Sequence, residues 1–259
     1  MNYKSIIISS PPRTGSMWTQ NVLREIFASQ KINITPQKIV KNEDDALKYH
    51  FKTVNENESD LISIIKIERL IGKKDAKNTK IIINFRDPRD AVASYKRFMK
   101  HINYEFKDLL ELVKKFIIWI EYYRKNFSEE QILEVHYKDI INQPLKIFKQ
   151  FELFLELKIS EKITSEIINK FSKNKVLQII KKNDDYVKKS FKDSKNLNEE
   201  NMIIEGNKIV RSYDVGTGFQ TGHISNFKDG DWSNVFTEKE INIINTNFKD
   251  WLKNNNLKN

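Results

Sequence analysis

The stretch "IIISSPPRTGSMW", Ile6 to Trp18, decides the fold. Three β-branched residues and a serine pair run into Pro11 and Pro12. The chain then bends through Arg13, Thr14 and Gly15 and resumes with helix-forming residues. A strand, a tight turn and a helix start aim several backbone N–H groups and the positive end of a helix dipole at one point, so the stretch reads as an anion site. The ATP-hydrolysing version of such a bend needs G-x-x-x-x-G-K-[ST], with its lysine on the terminal phosphates and its hydroxyl on magnesium. Pro12 to Trp18 has neither the second glycine nor the GK[ST].

A second stretch repeats the theme. "IIINFRDPRDAVASYKRF", Ile81 to Phe98, is another apolar strand that ends in Arg86 and passes through Pro88 and Arg89 into a helix carrying Ser94. Open α/β sheets bind ligands at the C-terminal ends of their strands. The planar fork of an arginine matches phosphate, and a serine hydroxyl one turn into the helix adds a donor. Two strand ends thus each present an anion-binding cluster, and one ligand with two phosphate-like ends would join them.

Outward from these stretches, "SIIIS" (Ser5 to Ser9), "KIIINF" (Lys80 to Phe85) and "QILEVHY" (Gln131 to Tyr137) read as strands. The continuous β-branched runs of the first two are those of strands covered on both faces. Between and after them, apolar residues at helical spacing predict helices around Met17 to Phe27, over Asp90 to Met99, Glu105 to Phe127 and Pro144 to Leu157, and at the C-terminal end, where Thr237 and Glu240 form a capping box. The pattern predicts a three-layer α/β fold with a central parallel sheet flanked by helices. At 259 residues it predicts a single domain, 1–259. Five of the seven glycines fall between Gly206 and Gly230, behind a charged stretch from Lys181 to Glu200, so 181–230 reads as a mobile lid over the sheet edge.

With 45 Lys and Arg against 35 Asp and Glu, the net charge is +10 and points to an anionic partner or to a basic solvated surface. The absence of cysteine excludes disulfides, thiolate catalysis and cysteine-zinc sites. The apolar run near the N-terminus is too short for a signal peptide or a membrane span, so the reading is of a cytoplasmic protein without membrane insertion.

These motifs resemble those of the sulfotransferases that use 3′-phosphoadenosine 5′-phosphosulfate (PAPS) and release the bisphosphate PAP. "PPRTGSMW" is similar to their 5′-phosphosulfate loop, commonly P-K-S-G-T-T-W, and "RDPRDAVASY" to their 3′-phosphate motif, R-[ND]-P-[RK]-D-x-x-x-S-Y. "VHYKDIINQPLKIFKQFELFLEL" and "GDWSNVFT" resemble later family segments. The resemblance implies a P-loop NTPase-like fold. It implies that Arg13, Thr14, Gly15, Ser16 and Met17 hold the 5′-phosphosulfate, that Trp18 stacks on adenine with Tyr137 at the same end, and that Arg86 and Ser94 hold the 3′-phosphate. The family base is a histidine, often in a K-x-H context, and "LKYHFK" offers Lys48 and His50 in that arrangement, so His50, Lys48 and Arg13 are the implied catalytic group. Where the family often has R-K-G before G-D-W, this chain has Ser225-Asn226-Phe227, and Arg211, His223 and Lys228 are the candidate replacements.

The implied reaction moves a sulfuryl group to a hydroxyl or amine of a small-molecule, carbohydrate or lipid acceptor, with no metal required. A sulfuryl group carries less charge than a phosphoryl group, so cationic side chains and N–H donors suffice. Two rivals stay open at this stage. A kinase on the same scaffold predicts ATP and magnesium binding. A basic nucleic-acid-binding protein predicts cations interleaved with exposed aromatics; the interpretable cations here lie at strand ends, and no nucleic acid is expected.

Overall fold

The computed structural model describes residues 1–56, 60–99, 105–192, 199–205, 209–224, 228, 230–255 and 257. Five parallel strands form its centre: β1 (Ser5–Ser9), β2 (Asn33–Thr35), β3 (Leu61–Ile67), β4 (Thr79–Phe85) and β5 (Ile132–His136), in the order β2-β3-β1-β4-β5. β1 lies in the middle, with Ser9 opposite Ile67 of β3 and Ile8 opposite Ile82 of β4. All five of its residues are buried, as its unbroken apolar run predicts for a strand covered on both sides.

Alternate residues of the strands feed two cores. Ile6, Ile8, Ile64 and Ile82 face α1 (Ser16–Ser29), α6 (Pro144–Leu155) and α7 (Glu161–Lys170). Ile7, Ile65, Ile83 and Phe85 face α3 (Pro88–Phe98), α4 (Phe106–Asn126) and α9 (Glu238–Asn254), with Ala46 of α2 (Glu43–Asn55). Each isoleucine withdrawn in this way stabilises the sheet by about 1.5–3 kcal/mol. The capping box at Thr237 and Glu240 is formed and starts α9.

Several elements differ from the sequence reading. β2, β3 and α2 lie where it assigned no element. Within the segment read as a lid, Lys181 to Lys192 belongs to α8 (Lys173–Lys192). It is followed by an antiparallel hairpin, β6 (Met202–Glu205) and β7 (Ile209–Ser212). The charged residues that suggested a loop occupy the outer face of a helix whose Val176, Ile180 and Val187 are buried at helical spacing. The short α5 (Tyr137–Asn142) follows β5 directly. Among the described residues no helix is long and apolar enough to cross a membrane.

Candidate functional site

β1 delivers the chain to the bend at the C-terminal edge of the sheet. Arg13 (φ 67°) and Gly15 (φ 90°) both adopt left-handed backbone conformations, which turns successive peptide groups into a concavity. For Arg13 that conformation costs about 1–2 kcal/mol, the kind of strain that concentrates at functional positions. Gly15 is also sterically fixed: a Cβ there would lie 2.7 Å from Ile140 Cδ1 and 3.2 Å from the Tyr137 ring. Gly15 caps α1 with no side-chain hydrogen bond, so the N–H groups of the first turn face the bend without a side-chain acceptor at the cap.

A buried polar cluster fixes the bend from below. Ser10 Oγ accepts from the Asn84 backbone N–H at 2.7 Å, and Asn84 Nδ2 donates to Thr19 Oγ1 at 2.8 Å. The bend is thereby tied to β4 and α1 at once. Thr14 Oγ1 donates to Pro11 O at 2.5 Å and closes the turn on itself.

The two corners read from the sequence meet. Arg13 Nε donates to Ser94 Oγ at 3.2 Å, and Arg86 lies over the Tyr137 ring, 4.2 Å from its centre. Desolvation lowers the Arg13 guanidinium to about pKa 10; Tyr95 and Tyr137 act against that, and Arg86 and Arg211 add to it. Arg97, one turn beyond Ser94, is lowered too, by burial first and then by Arg86. Arg13 and Arg211 share the Phe98 ring, at 4.4 and 3.8 Å from its centre. Four guanidiniums therefore converge on one mouth, where Arg86 adds to the lowering of both Arg13 and Arg97, and a ligand bearing several negative charges fits that arrangement.

A strap crosses this mouth. After β7 the chain folds over α1 and α3: Asn21 Nδ2 donates to Thr217 O at 2.7 Å, Gly218 packs on Met17, and the Gly222 and His223 carbonyls accept from Arg13 Nη2 at 2.8 and 3.5 Å. His223 is half-buried, and its pKa is pushed well below the ordinary histidine value by desolvation, then by Arg13, Lys66 and Arg211. Farther on, the Gly230 N–H donates to Asp90 at 2.9 Å, which docks the G-D-W segment on the start of α3. Ser225, Asn226 and Phe227, which stand where R-K-G was sought, lie outside the described residues.

Of the residues singled out from sequence, Arg13, Thr14, Gly15, Ser16, Arg86, Ser94 and Tyr137 gather at this mouth. Met17 lies under the strap, and Trp18, partly exposed, meets the edge of Phe148 at 6.5 Å. His50 and Lys48 do not gather there, which corrects the reading of "LKYHFK". His50 is fully buried: Nε2 donates to Asp75 O at 2.7 Å and Nδ1 is bonded to Ser5 Oγ at 2.9 Å. Ser5 begins β1 and the bend follows Ser9, so four residues at about 3.3 Å each put His50 some 13 Å below the mouth. Lys48 is exposed on α2 and paired with Asp45 at 2.6 Å. The reading missed Arg97 and Arg211. Arg97 was readable as the i+3 neighbour of Ser94, whereas Arg211 depends on a hairpin whose signal, the β-branched runs on either side of Gly206-Asn207, was absorbed into the segment read as a lid.

Fold and mouth together define a class, an α/β protein of P-loop-like design whose first bend and fourth strand converge on a cationic mouth. Comparison with known proteins narrows the class. Residues 4–256 match the family model described as the sulfotransferase domain, and the chain belongs to that family. It is 23% identical over 269 residues to the amine sulfotransferase of Oryctolagus cuniculus, covering 98% of this chain and 82% of that protein. Similar solved structures include a mouse sulfotransferase complexed with PAP (TM-score 0.61, 17% identity, 99% of this chain and 85% of that one). Another is retinol dehydratase in complex with androsterone and inactive cofactor PAP (TM-score 0.58, 15% identity, 98% and 82%). At these identities the solved structures speak for the fold.

Proposed function

We propose that the protein moves the sulfuryl group of PAPS to a hydroxyl or amine of a small organic acceptor and releases PAP. The observation that carries this reading is the contact between Arg13 Nε and Ser94 Oγ at 3.2 Å, which joins the two anion corners into one site. The first-turn N–H groups of α1, with Arg13, Thr14, Ser16 and Met17, hold the 5′ end of the nucleotide. Arg86, Ser94 and Arg97 hold the 3′-phosphate, and Arg211 supplies from the hairpin the cation that the absent R-K-G would bring. Trp18 and Tyr137 border the adenine. PAPS brings an activated sulfuryl group on a phosphate leaving group, and the charge that grows on that phosphate faces Arg13 and the α1 N-terminus. Membership of the sulfotransferase family, the amine in the name of one relative and the androsterone bound by another similar structure support a small organic acceptor.

Calorimetric titration with PAP, with ATP and magnesium, and with single-stranded DNA tests the reading. PAP is expected to bind tightest. Tighter binding of ATP and magnesium would overturn the proposal in favour of a kinase, and tighter binding of DNA in favour of a nucleic-acid-binding protein.

A further inference from the structure

Transfer to a hydroxyl or amine leaves a proton on the attacking atom, and a positioned base must take it. The described histidines are engaged elsewhere. His50 lies at the other end of β1. His136 packs on Phe85, ring centres 3.7 Å apart, on the sheet face covered by α4 and α9. His223 is bonded within its own strap: Nδ1 accepts from the Gln220 N–H at 3.3 Å, and the Gln220 side-chain amide lies 2.8 Å from Nε2.

We propose that Glu68 is the base and that Lys66 positions it, an assignment that rests on the sulfotransferase reading. β3 is the immediate neighbour of β1, and the Ser10 N–H that opens the bend donates to Ile67 O at 3.2 Å. Glu68 is the next residue, so it leaves the sheet beside the bend at the edge where the guanidiniums converge. Lys66 is opposite Ile8 in the register and therefore faces the α1 side. Its Nζ holds Glu68 Oε1 at 2.6 Å, and its charge is among those that lower His223, the residue whose backbone carbonyl accepts from Arg13. The Glu68 backbone N–H donates to Glu43 Oε1 at 2.8 Å, which pins the turn that carries the carboxylate. Among the described acids around the mouth, Asp87 is occupied by Arg89, Asp90 by the Gly230 N–H, Asp184 by Ser212 and Thr221, Asp214 by Thr217 and Asp139 by Lys146. Glu68 is about a third exposed, open to a substrate from solvent and tethered by a single lysine.

In the step, the acceptor oxygen or nitrogen forms its bond to sulfur as the bond from sulfur to the 5′-phosphate oxygen breaks. That bond's electron pair stays on the phosphate, and the acceptor proton passes to the Glu68 carboxylate. Atoms and charge balance without a further reactant.

The test pairs PAP calorimetry with transfer of labelled sulfate from PAPS to three probes: 2-naphthol, octylamine and water. Glu68→Gln is expected to bind PAP as tightly as the wild type or a few-fold tighter, because one negative charge has left the neighbourhood of an anion. Its transfer is expected to fall by about 10²- to 10⁴-fold. Glu68→Asp should recover part of the rate. Lys66→Gln should lower the rate about tenfold, with Lys66→Arg restoring it. Transfer by Glu68→Gln within threefold of wild type overturns the assignment, as does a loss of PAP affinity that matches the loss of rate. So do a wild type that binds PAP yet serves none of the probes, and a His223→Ala variant that alone loses transfer with PAP affinity intact. A wild type without PAP affinity overturns the donor reading itself and shows in the calorimetric arm alone.

Discussion

At the scale of single residues, the site is a matter of which cations crowd one another. Arg13 is lowered to about pKa 10 by burial and by the other arginines around it, yet it remains charged at neutral pH. That tension is relieved when an anion arrives. Arg211 reaches the same aromatic ring as Arg13 from a hairpin far along the chain. On the proposed function, Arg211→Gln should weaken PAP binding by about 10- to 100-fold, the range for one hydrogen bond to a charged group. Titration calorimetry at fixed salt checks it, and an unchanged affinity would remove Arg211 from the site.

His50 carries a different lesson at the same scale. Its two ring nitrogens join α2 to the start of β1 and to the Asp75 carbonyl. Truncation to alanine leaves Ser5 Oγ and that carbonyl without their partner and opens a cavity, so His50→Ala should lose about 2–4 kcal/mol of stability. The variant that remains folded should bind PAP normally. Denaturant melts and calorimetry separate the two effects; unchanged stability would contradict the structural role.

At the scale of elements, the α1 entry is the most constrained point. Gly15→Ala places a methyl group against Ile140 and Tyr137 in a backbone conformation that L-residues avoid. It should lower the melting temperature by several degrees and weaken PAP by tenfold or more. Wild-type behaviour in both measurements would show that the bend relaxes without penalty.

Of the strands that sequence reading recovered, β1 and β4 announce themselves because every residue of their apolar runs is interior, whereas β5, with only Val135 buried, shows through its alternation. β3 escaped it because Ser63 and Lys66 interrupt the run of isoleucines in "LISIIKI". α2 escaped it because a helix that buries only Ala46, His50 and Thr53 offers no apolar stripe to find. The missed strand hid the end where Lys66 and Glu68 emerge, and the K-x-H spacing of Lys48 and His50 drew the reading to α2 instead. The two anion corners were legible for the opposite reason. Their residues are local to a strand end and a helix start, and spacing along the chain is enough to set them.

At the scale of the molecule, the strap, the hairpin and α3 meet at Arg13, so ligand binding and folding are linked. PAP at a thousand times its dissociation constant should stabilise the fold by about 4 kcal/mol. Amide exchange should slow across 209–224 as well as in α1. A rise in melting temperature with no added protection over that segment would detach the strap from the site.

Acidity acts on the whole fold with a definite sign. His50 has its pKa lowered below 6.5 chiefly by burial, and His136 and His223 are shifted the same way. Below pH 6.5 the unfolded chain takes up protons that the folded one refuses, so stability is full above that value and declines as pH falls towards the folded values. Melting temperature should drop between pH 7.5 and 5.5, and less steeply in His50→Gln than in wild type; equal slopes would exclude His50 as a contributor. Because that imidazole braces the floor of the sheet while the anion corners occupy its rim, protons that enter at the floor undo the foundation of the site without touching it, so in mild acid PAP affinity should be lost together with the fold and not ahead of it.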